Sequence, residues 1–185
     1  MRTLGSVAAL CSLVALAGCD NPGRPAIQSS AQPSATAAAA PLKEGDAAPD
    51  VDLPLQNGKT VKLSTFRGKP VALYFYPKDE TAGCTVEAQG FRDGFADLQA
   101  AGVTVIGVST QDAVSHQAFI DKEKLPFDLA VDAGGAIAKA FQVPVNNGYA
   151  ARQTFLIGAD GKLKKIWRQV TPAGHAAEIL AAAKS

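Results

Sequence analysis

The sequence predicts an α/β three-layer sandwich with a mixed central sheet and an N-terminal β-hairpin. Three observations carry this prediction. Two unbroken apolar runs, VALYFY at 71–76 and VTVIGVS at 103–109, suit strands buried on both faces. Each is followed by residues at helical spacing, the pattern of a parallel βαβ unit. The chain then ends in two strands joined by an Asp-Gly turn and an alanine-rich helix, which adds an antiparallel hairpin to the parallel start.

In chain order, VDLPLQNGKTVKL reads as two short strands around Asn57-Gly58, a strong short-range hairpin signal. After the strand at 71–76, Ala88, Phe91, Phe95 and Leu98 recur at helical spacing, with Arg92, Asp93 and Asp97 opposite them. The strand at 103–109 leads into a helix ending near Lys124, with Ser109 and Asp112 as a capping-box-like start. FDLAVD is a short strand and GAIAKAFQ a short helix. TFLI and KLKKIWRQV are strands joined through GADGK. Thr171 followed by Pro172 reads as an N-cap with proline at the first helical position, and AGHAAEILAAAK as the last helix. The order ββ, βαβα, βα, ββα is thioredoxin-like. No internal repeat and no glycine-rich phosphate loop interrupts it, and Gly134-Gly135 reads as a turn.

The N-terminal segment differs from this domain. Arg2 and the apolar LGSVAALCSLVALA form a secretory signal, too short to span a bilayer comfortably. LAGC at 16–19 resembles a bacterial lipobox, which implies cleavage before Cys19 and acylation of its thiol. Residues 1–18 are thus expected to be a signal peptide. The Ala/Ser/Pro-rich residues 19–41 would be a lipid-anchored tether, too poor in large apolar side chains to fold. Its reach is about 25 Å from random-coil scaling. Asp20 behind the cysteine resembles an inner-membrane retention signal, so an anchored protein facing the periplasm is expected. Residues 42–185 form one domain, large enough for a single core.

A net charge of +1 gives no electrostatic footprint for nucleic acid. No cluster of metal-ligand residues stands out, so neither metal nor cofactor is expected. His116 reads as a residue of a polar helix face and His175 as a first-turn surface residue. The cysteines are Cys11, Cys19 and Cys84. With Cys11 removed and Cys19 acylated, Cys84 would be the one free thiol, a flag for reactivity in an exported protein.

Position alone leaves two readings of Cys84 open: a small buried apolar residue or a nucleophile. A cysteine at a helix start meets unpaired backbone N–H groups and the positive end of the helix dipole, which favour a thiolate. Gly83 permits close backbone approach, and polar Lys78, Asp79, Glu80 and Thr81 argue against deep burial. These features favour the nucleophile. Glu87, one helical turn on, is either an orienting partner for an arginine or a first-turn dipole partner.

PKDETAGC matches the peroxiredoxin pattern of proline, three residues, threonine, two residues and cysteine on Pro77, Thr81 and Cys84. YFYPKDETAGCTVEA resembles the bacterioferritin comigratory protein (PrxQ) branch of that family. ARQTFLI is similar to its later segment with the active-site arginine, at Arg152, and IWRQVTPAGHAAEIL to its last strand and helix. The similarity runs from about residue 43 to the end. Two departures stand out. Ala82 replaces a frequent proline, and Gln89 stands where many members have a resolving cysteine. SHQAFIDKEK, where others carry that cysteine, has none.

The resemblance implies a thiol-dependent peroxidase that reduces hydrogen peroxide and organic hydroperoxides through Cys84. Without an internal second cysteine, a 1-Cys cycle is expected, with glutathione, glutaredoxin or a thioredoxin-like protein as external reductant, in a monomer or weak dimer. Lowering a thiol pKa from about 8.5 to about 6 raises its thiolate fraction roughly 30-fold at pH 7. Intrinsic nucleophilicity falls about tenfold in return. Efficient peroxide reduction therefore needs fixed donors that align the peroxide and stabilise the departing oxygen. Thr81, Arg152 and backbone N–H groups near Cys84 are the candidates, with Pro77 shaping the pocket. A thioredoxin-like disulfide oxidoreductase or copper-delivery protein would need a second cysteine where Thr81 or Glu87 stands. A non-enzymatic lipoprotein redox sensor would use Cys84 oxidation to alter binding, and turnover separates it from the enzyme.

Overall fold

Alternation along one strand divides the interior. In Val71–Phe75 (β3) every residue is buried, yet neighbouring side chains leave on opposite faces. Leu73 and Phe75 join one apolar cluster with Leu53, Ile106, Val108, Phe141 and Phe155. Ala72 and Tyr74 join another with Cys84, Phe91, Leu98, Phe119, Leu129, Leu156 and Ile179. The computed structural model describes residues 40–185. The expected signal peptide, Cys19 and the tether up to residue 39 lie outside the described residues.

Asp52–Pro54 (β1) and Thr60–Lys62 (β2) form an antiparallel hairpin. Its reversal passes through Gly58 at φ +80°, while the Asn57 side chain accepts from the Lys59 N–H at 3.0 Å. After β3 come helices Ala82–Asp93 (α1) and Phe95–Ala100 (α2). The single helical run expected over these residues is broken at Gly94. A Cβ there would lie 3.3 Å from the Gly90 carbonyl oxygen, a tight approach, and 3.5 Å from Ala176 Cβ, an ordinary contact.

Next come strand Thr104–Ser109 (β4), helix Ala113–Glu123 (α3), strand Asp128–Val131 (β5) and helix Ala136–Ala140 (α4). The N-cap of α3 is Asp112, whose carboxylate accepts from the Ser115 N–H at 2.8 Å. Ser109 is the last residue of β4 and not a cap. Val145–Asn146 (β6) and Tyr149–Ala150 (β7) form a small hairpin that the sequence reading did not assign. Its signal was present: Asn147-Gly148 takes φ +51° and +81°, the turn chemistry of a two-residue hairpin. Gln153–Ile157 (β8), Leu163–Trp167 (β9) and His175–Lys184 (α5) complete the chain.

The central sheet has the order β5-β4-β3-β8-β9. β5, β4 and β3 run parallel, β8 is antiparallel to β3, and β9 is antiparallel to β8. This is the expected mixed sheet of a thioredoxin-like α/β sandwich. The expected N-cap at Thr171 and first turn at Pro172 are not where α5 begins. The chain bends at Gly174 (φ +83°), and the helix starts at His175. Pro172 instead lies near α1, its Cγ 3.9 Å from where a Gly83 Cβ would sit.

Gly107 in the middle of β4 sets the depth of the second core layer. A Cβ there would come within 2.5 Å of Leu129 Cδ2 and 2.8 Å of the Tyr74 ring, distances a packed interior does not accommodate without shifts. The glycine lets Tyr74 lie across the strand, where it stacks on Tyr76 at 5.4 Å and meets Phe91 at a tilt, 4.6 Å between centroids. These rings form the wall behind α1.

Candidate active site

The pairing of β3 with β8 brings the sequence-distant candidates together. Phe75 lies opposite Gln153, so the end of β3 and the start of β8 share one edge of the sheet. The segment after β3 carries Pro77, Thr81 and Cys84, and the residue before β8 is Arg152. Cys84 sits in the first turn of α1 and is 2% exposed. It is buried more deeply than the polar loop before it suggested. The Arg152 Nη2 donates to Cys84 Sγ at 3.1 Å, and its Nη1 donates to Glu87 Oε2.

One guanidinium thus links the sulfur to a carboxylate one helical turn away, the fixed fork geometry that arginine supplies and lysine does not. Glu87 is buried beneath the helix and does not act as an exposed first-turn dipole partner. Burial pushes its carboxyl up to about 7, against the opposing pull of Arg152. Burial alone would lower the Arg152 guanidinium, but Glu87 and Cys84 hold it above its ordinary value. Glu87 Oε1 and Tyr74 Oη are buried without a hydrogen-bond partner.

Thr81 occupies the N-cap position of α1 without a side-chain capping bond. Its hydroxyl is exposed and donates to the Lys78 carbonyl at 3.1 Å. A Cβ on Gly83 would meet Arg152 Nη2 at 3.4 Å, an ordinary contact, so space does not demand glycine there. Gln89, at the position where a resolving cysteine was sought, donates to Glu123 Oε2 at 2.8 Å. Cys84 is the sole cysteine among the described residues, and these residues hold no cluster of side chains suited to a metal ion.

Both histidines correct the sequence reading, which put them at the surface. His116 is 0% exposed, and its Nδ1 lies 2.9 Å from Asp79 Oδ2. His175 is also buried, with Nε2 2.9 Å from Thr154 Oγ1 and Nδ1 3.1 Å from Glu178 Oε2. Trp167 packs edge-on against it at 5.3 Å. Burial holds His175 below its ordinary pKa despite Glu178. Asp79, also read as an exposed loop residue, is buried. Burial pushes its carboxyl up, but hydrogen bonds from His116, Ser115 and Tyr76 outweigh that and leave it below the usual value. The spacing of Asp79 and His116 along the chain gave no hint of this contact, because it forms across two elements.

A thiol held against a guanidinium at a helix start is a site for nucleophilic sulfur chemistry. The AhpC/TSA family profile matches residues 44–166. The chain belongs to that family. Among its relatives, peroxiredoxin Bcp of Bacillus subtilis is 44% identical over 149 residues, covering 75% of this chain and 93% of that protein. Chloroplastic peroxiredoxin Q of Triticum aestivum is 44% identical over 75% of this chain, which spans 65% of the wheat protein's length. The bacterioferritin comigratory protein of Xanthomonas campestris, solved in trapped intermediate and ligand complexes bearing on its alkyl peroxide reduction, superposes with a TM-score of 0.70. It is 35% identical, over 77% of this chain and 96% of that one. Within the AhpC/TSA family this peroxiredoxin therefore falls in the Bcp/PrxQ branch, and its fold is that of the branch.

Proposed function

We propose that this peroxiredoxin reduces hydrogen peroxide and organic hydroperoxides through Cys84 alone, with an external thiol closing the cycle. The observation that carries the proposal is the Arg152–Cys84 contact at 3.1 Å, in a domain with no other cysteine among the described residues. The alkyl peroxide reduction of the Xanthomonas relative supports the organic substrates.

In the first step the Cys84 thiolate attacks the nearer peroxide oxygen. The S–O bond forms, the O–O bond breaks, and the departing oxygen takes a proton to leave as water or an alcohol. Sulfur is oxidised to the sulfenic acid and the peroxide is reduced. Arg152, Thr81 and backbone N–H groups at the start of α1 would align the peroxide and stabilise the departing oxygen, with Pro77 closing the side of the site. An external thiol then condenses with the sulfenic acid, releasing water and forming a mixed disulfide. A second thiol displaces it and regenerates Cys84.

The 1-Cys cycle is tested with the full chain and one equivalent of peroxide. A sulfenic-acid probe is expected to label the Cys84 peptide, with no disulfide joining Cys84 to another position. Excess peroxide without reductant is expected to drive Cys84 to the sulfinic acid, and a small thiol to give a mixed disulfide of defined mass. A Cys84–Cys84 dimer that forms quickly and is reduced during turnover would replace the external-thiol scheme with a disulfide-exchanging pair.

The same proposal places the domain at a bacterial membrane, facing the periplasm, through acylated Cys19. The h-region followed by LAGC supports this. Mass spectrometry of the protein from its native host is expected to show cleavage before Cys19 and added acyl mass. An unmodified Cys19 thiol would reject the anchor and reopen that residue as a tethered resolving thiol.

A further inference from the structure

The segment from Pro77 to Thr81 joins β3 to α1, and the placement of Pro77, Thr81 and the helix start depends on its path. Its middle residue turns inward. The Asp79 carboxylate accepts from Tyr76 Oη at 2.6 Å and Ser115 Oγ at 2.6 Å, and lies 2.9 Å from His116 Nδ1. The other ring nitrogen of His116 lies 3.2 Å from the Ala130 carbonyl oxygen on β5. Both ring nitrogens therefore face acceptors.

Asp79 and His116 are 4% and 0% exposed, so little water competes for these bonds. The next residue, Glu80, has φ +60°, a conformation disfavoured for a side chain with a Cβ. The Glu80 carboxylate itself only pairs with Lys122 Nζ at 3.3 Å in an exposed contact, which gives a weak hold. The bend must be held from inside.

Resting on the peroxidase reading, we infer that Asp79 and His116 are a positioning pair that pins the Pro77–Thr81 segment to α3 and β5 and so fixes its peroxide-facing groups against Cys84. Two separate devices then build the site. Glu87 holds Arg152 against the sulfur, independently of the loop. Asp79 and His116 hold the loop. Loss of the second device leaves a thiol that still reacts with a simple alkylating agent, which needs no aligned donors. Reaction with peroxide, which does need them, suffers.

The test uses the full chain, with oxidation by hydrogen peroxide and alkylation by iodoacetamide both read at the Cys84 peptide by mass spectrometry. In Asp79→Ala, oxidation is expected to slow about 10- to 100-fold, the scale of a misplaced reacting group, with alkylation near wild type. Asp79→Asn can accept from Tyr76 and donate to Ser115 and a neutral His116, so it is expected to recover most of the loss. Amide exchange over residues 78–83 is expected to quicken in the alanine variant and not in the asparagine one.

Unchanged oxidation in Asp79→Ala, an equal fall in oxidation and alkylation, or unchanged exchange would each overturn the pair's positioning role. If Asp79→Ala does not fold, Ser115→Ala decides. It removes one of the three bonds, and a smaller selective slowing of oxidation is expected, with no slowing overturning the inference. A wild-type Cys84 that peroxide oxidises no faster than free cysteine would sink the peroxidase reading instead, while the exchange comparison still judges the pinning.

Discussion

Cys84→Ser is expected to abolish peroxide turnover with a thiol donor and to leave the circular dichroism spectrum unchanged. The two outcomes have separate causes. The substitution exchanges one sulfur for one oxygen at a side chain packed in the Tyr74, Phe91 and Ala88 layer, so no cavity of consequence opens. The Arg152 guanidinium that donates to Cys84 Sγ can donate to the serine hydroxyl. Chemistry, in contrast, loses its nucleophile. A serine hydroxyl is ionised to a negligible degree at neutral pH, and its oxygen cannot accept and return an oxygen atom along the sulfenic acid ladder. Turnover clearly above the protein-free background would move the reactive group to Cys11 or Cys19, and a changed spectrum would show that the thiol is a packing residue as well.

The parts of the fold legible in the sequence are those written in a single period. VALYFY and VTVIGVS could be read as buried strands because both faces of β3 and β4 are covered, which removes polar alternation. Ala88, Phe91 and Leu98 marked the inward helix face correctly because all three are fully buried. What escaped reading depends on contacts between elements. Gly94 reads as a tolerable helix residue, yet it is where the run divides into α1 and α2. Thr171-Pro172 has the chemistry of a helix start, but Gly174 takes the left-handed bend that begins α5.

The site shows the same division. Cys84 and Thr81 lie three residues apart and were visible as a motif. The choice between two roles for Glu87 needed Arg152, 65 residues later in the chain, delivered by the antiparallel pairing of β8 with β3. His116 misled because its helix face is polar, and His175 because a first-turn position suggested solvent. Each is buried by partners from other elements: Asp79 and Ala130 for one, Thr154 and Trp167 for the other. Polar composition reports exposure only where no distant carboxylate or hydroxyl supplies the hydrogen bonds.

Arg152→Met is expected to slow oxidation of Cys84 by peroxide about 10²–10³-fold, the range for a lost donor at a centre where charge develops. Methionine keeps apolar bulk and removes the fork that serves both Cys84 Sγ and Glu87 Oε2. The same change leaves Glu87 buried without its cation, so lost rate could be mistaken for lost fold. The pH dependence separates the two. In the wild type, burial already raises the Glu87 carboxyl to about 7. Without Arg152, which lowers it, the carboxyl rises further. A group whose folded-state pKa is raised binds its proton more tightly when folded, so stability falls as pH rises, up to that pKa. Below about pH 7 both proteins lose stability in parallel, because Glu87 is protonated in both folded forms. Above it the wild type levels off and the variant continues to fall. Denaturant titrations at pH 6 and pH 8.5 are therefore expected to show a deficit that widens with pH. Adding Glu87→Gln to Arg152→Met removes the ionisable group and is expected to abolish that widening without restoring the rate, measured by stopped-flow at pH 8.5, above the wild-type Glu87 value of about 7. Recovery of fast oxidation in the double variant would mean that Arg152 serves only to neutralise Glu87, and that the donors to the departing oxygen lie elsewhere at the start of α1.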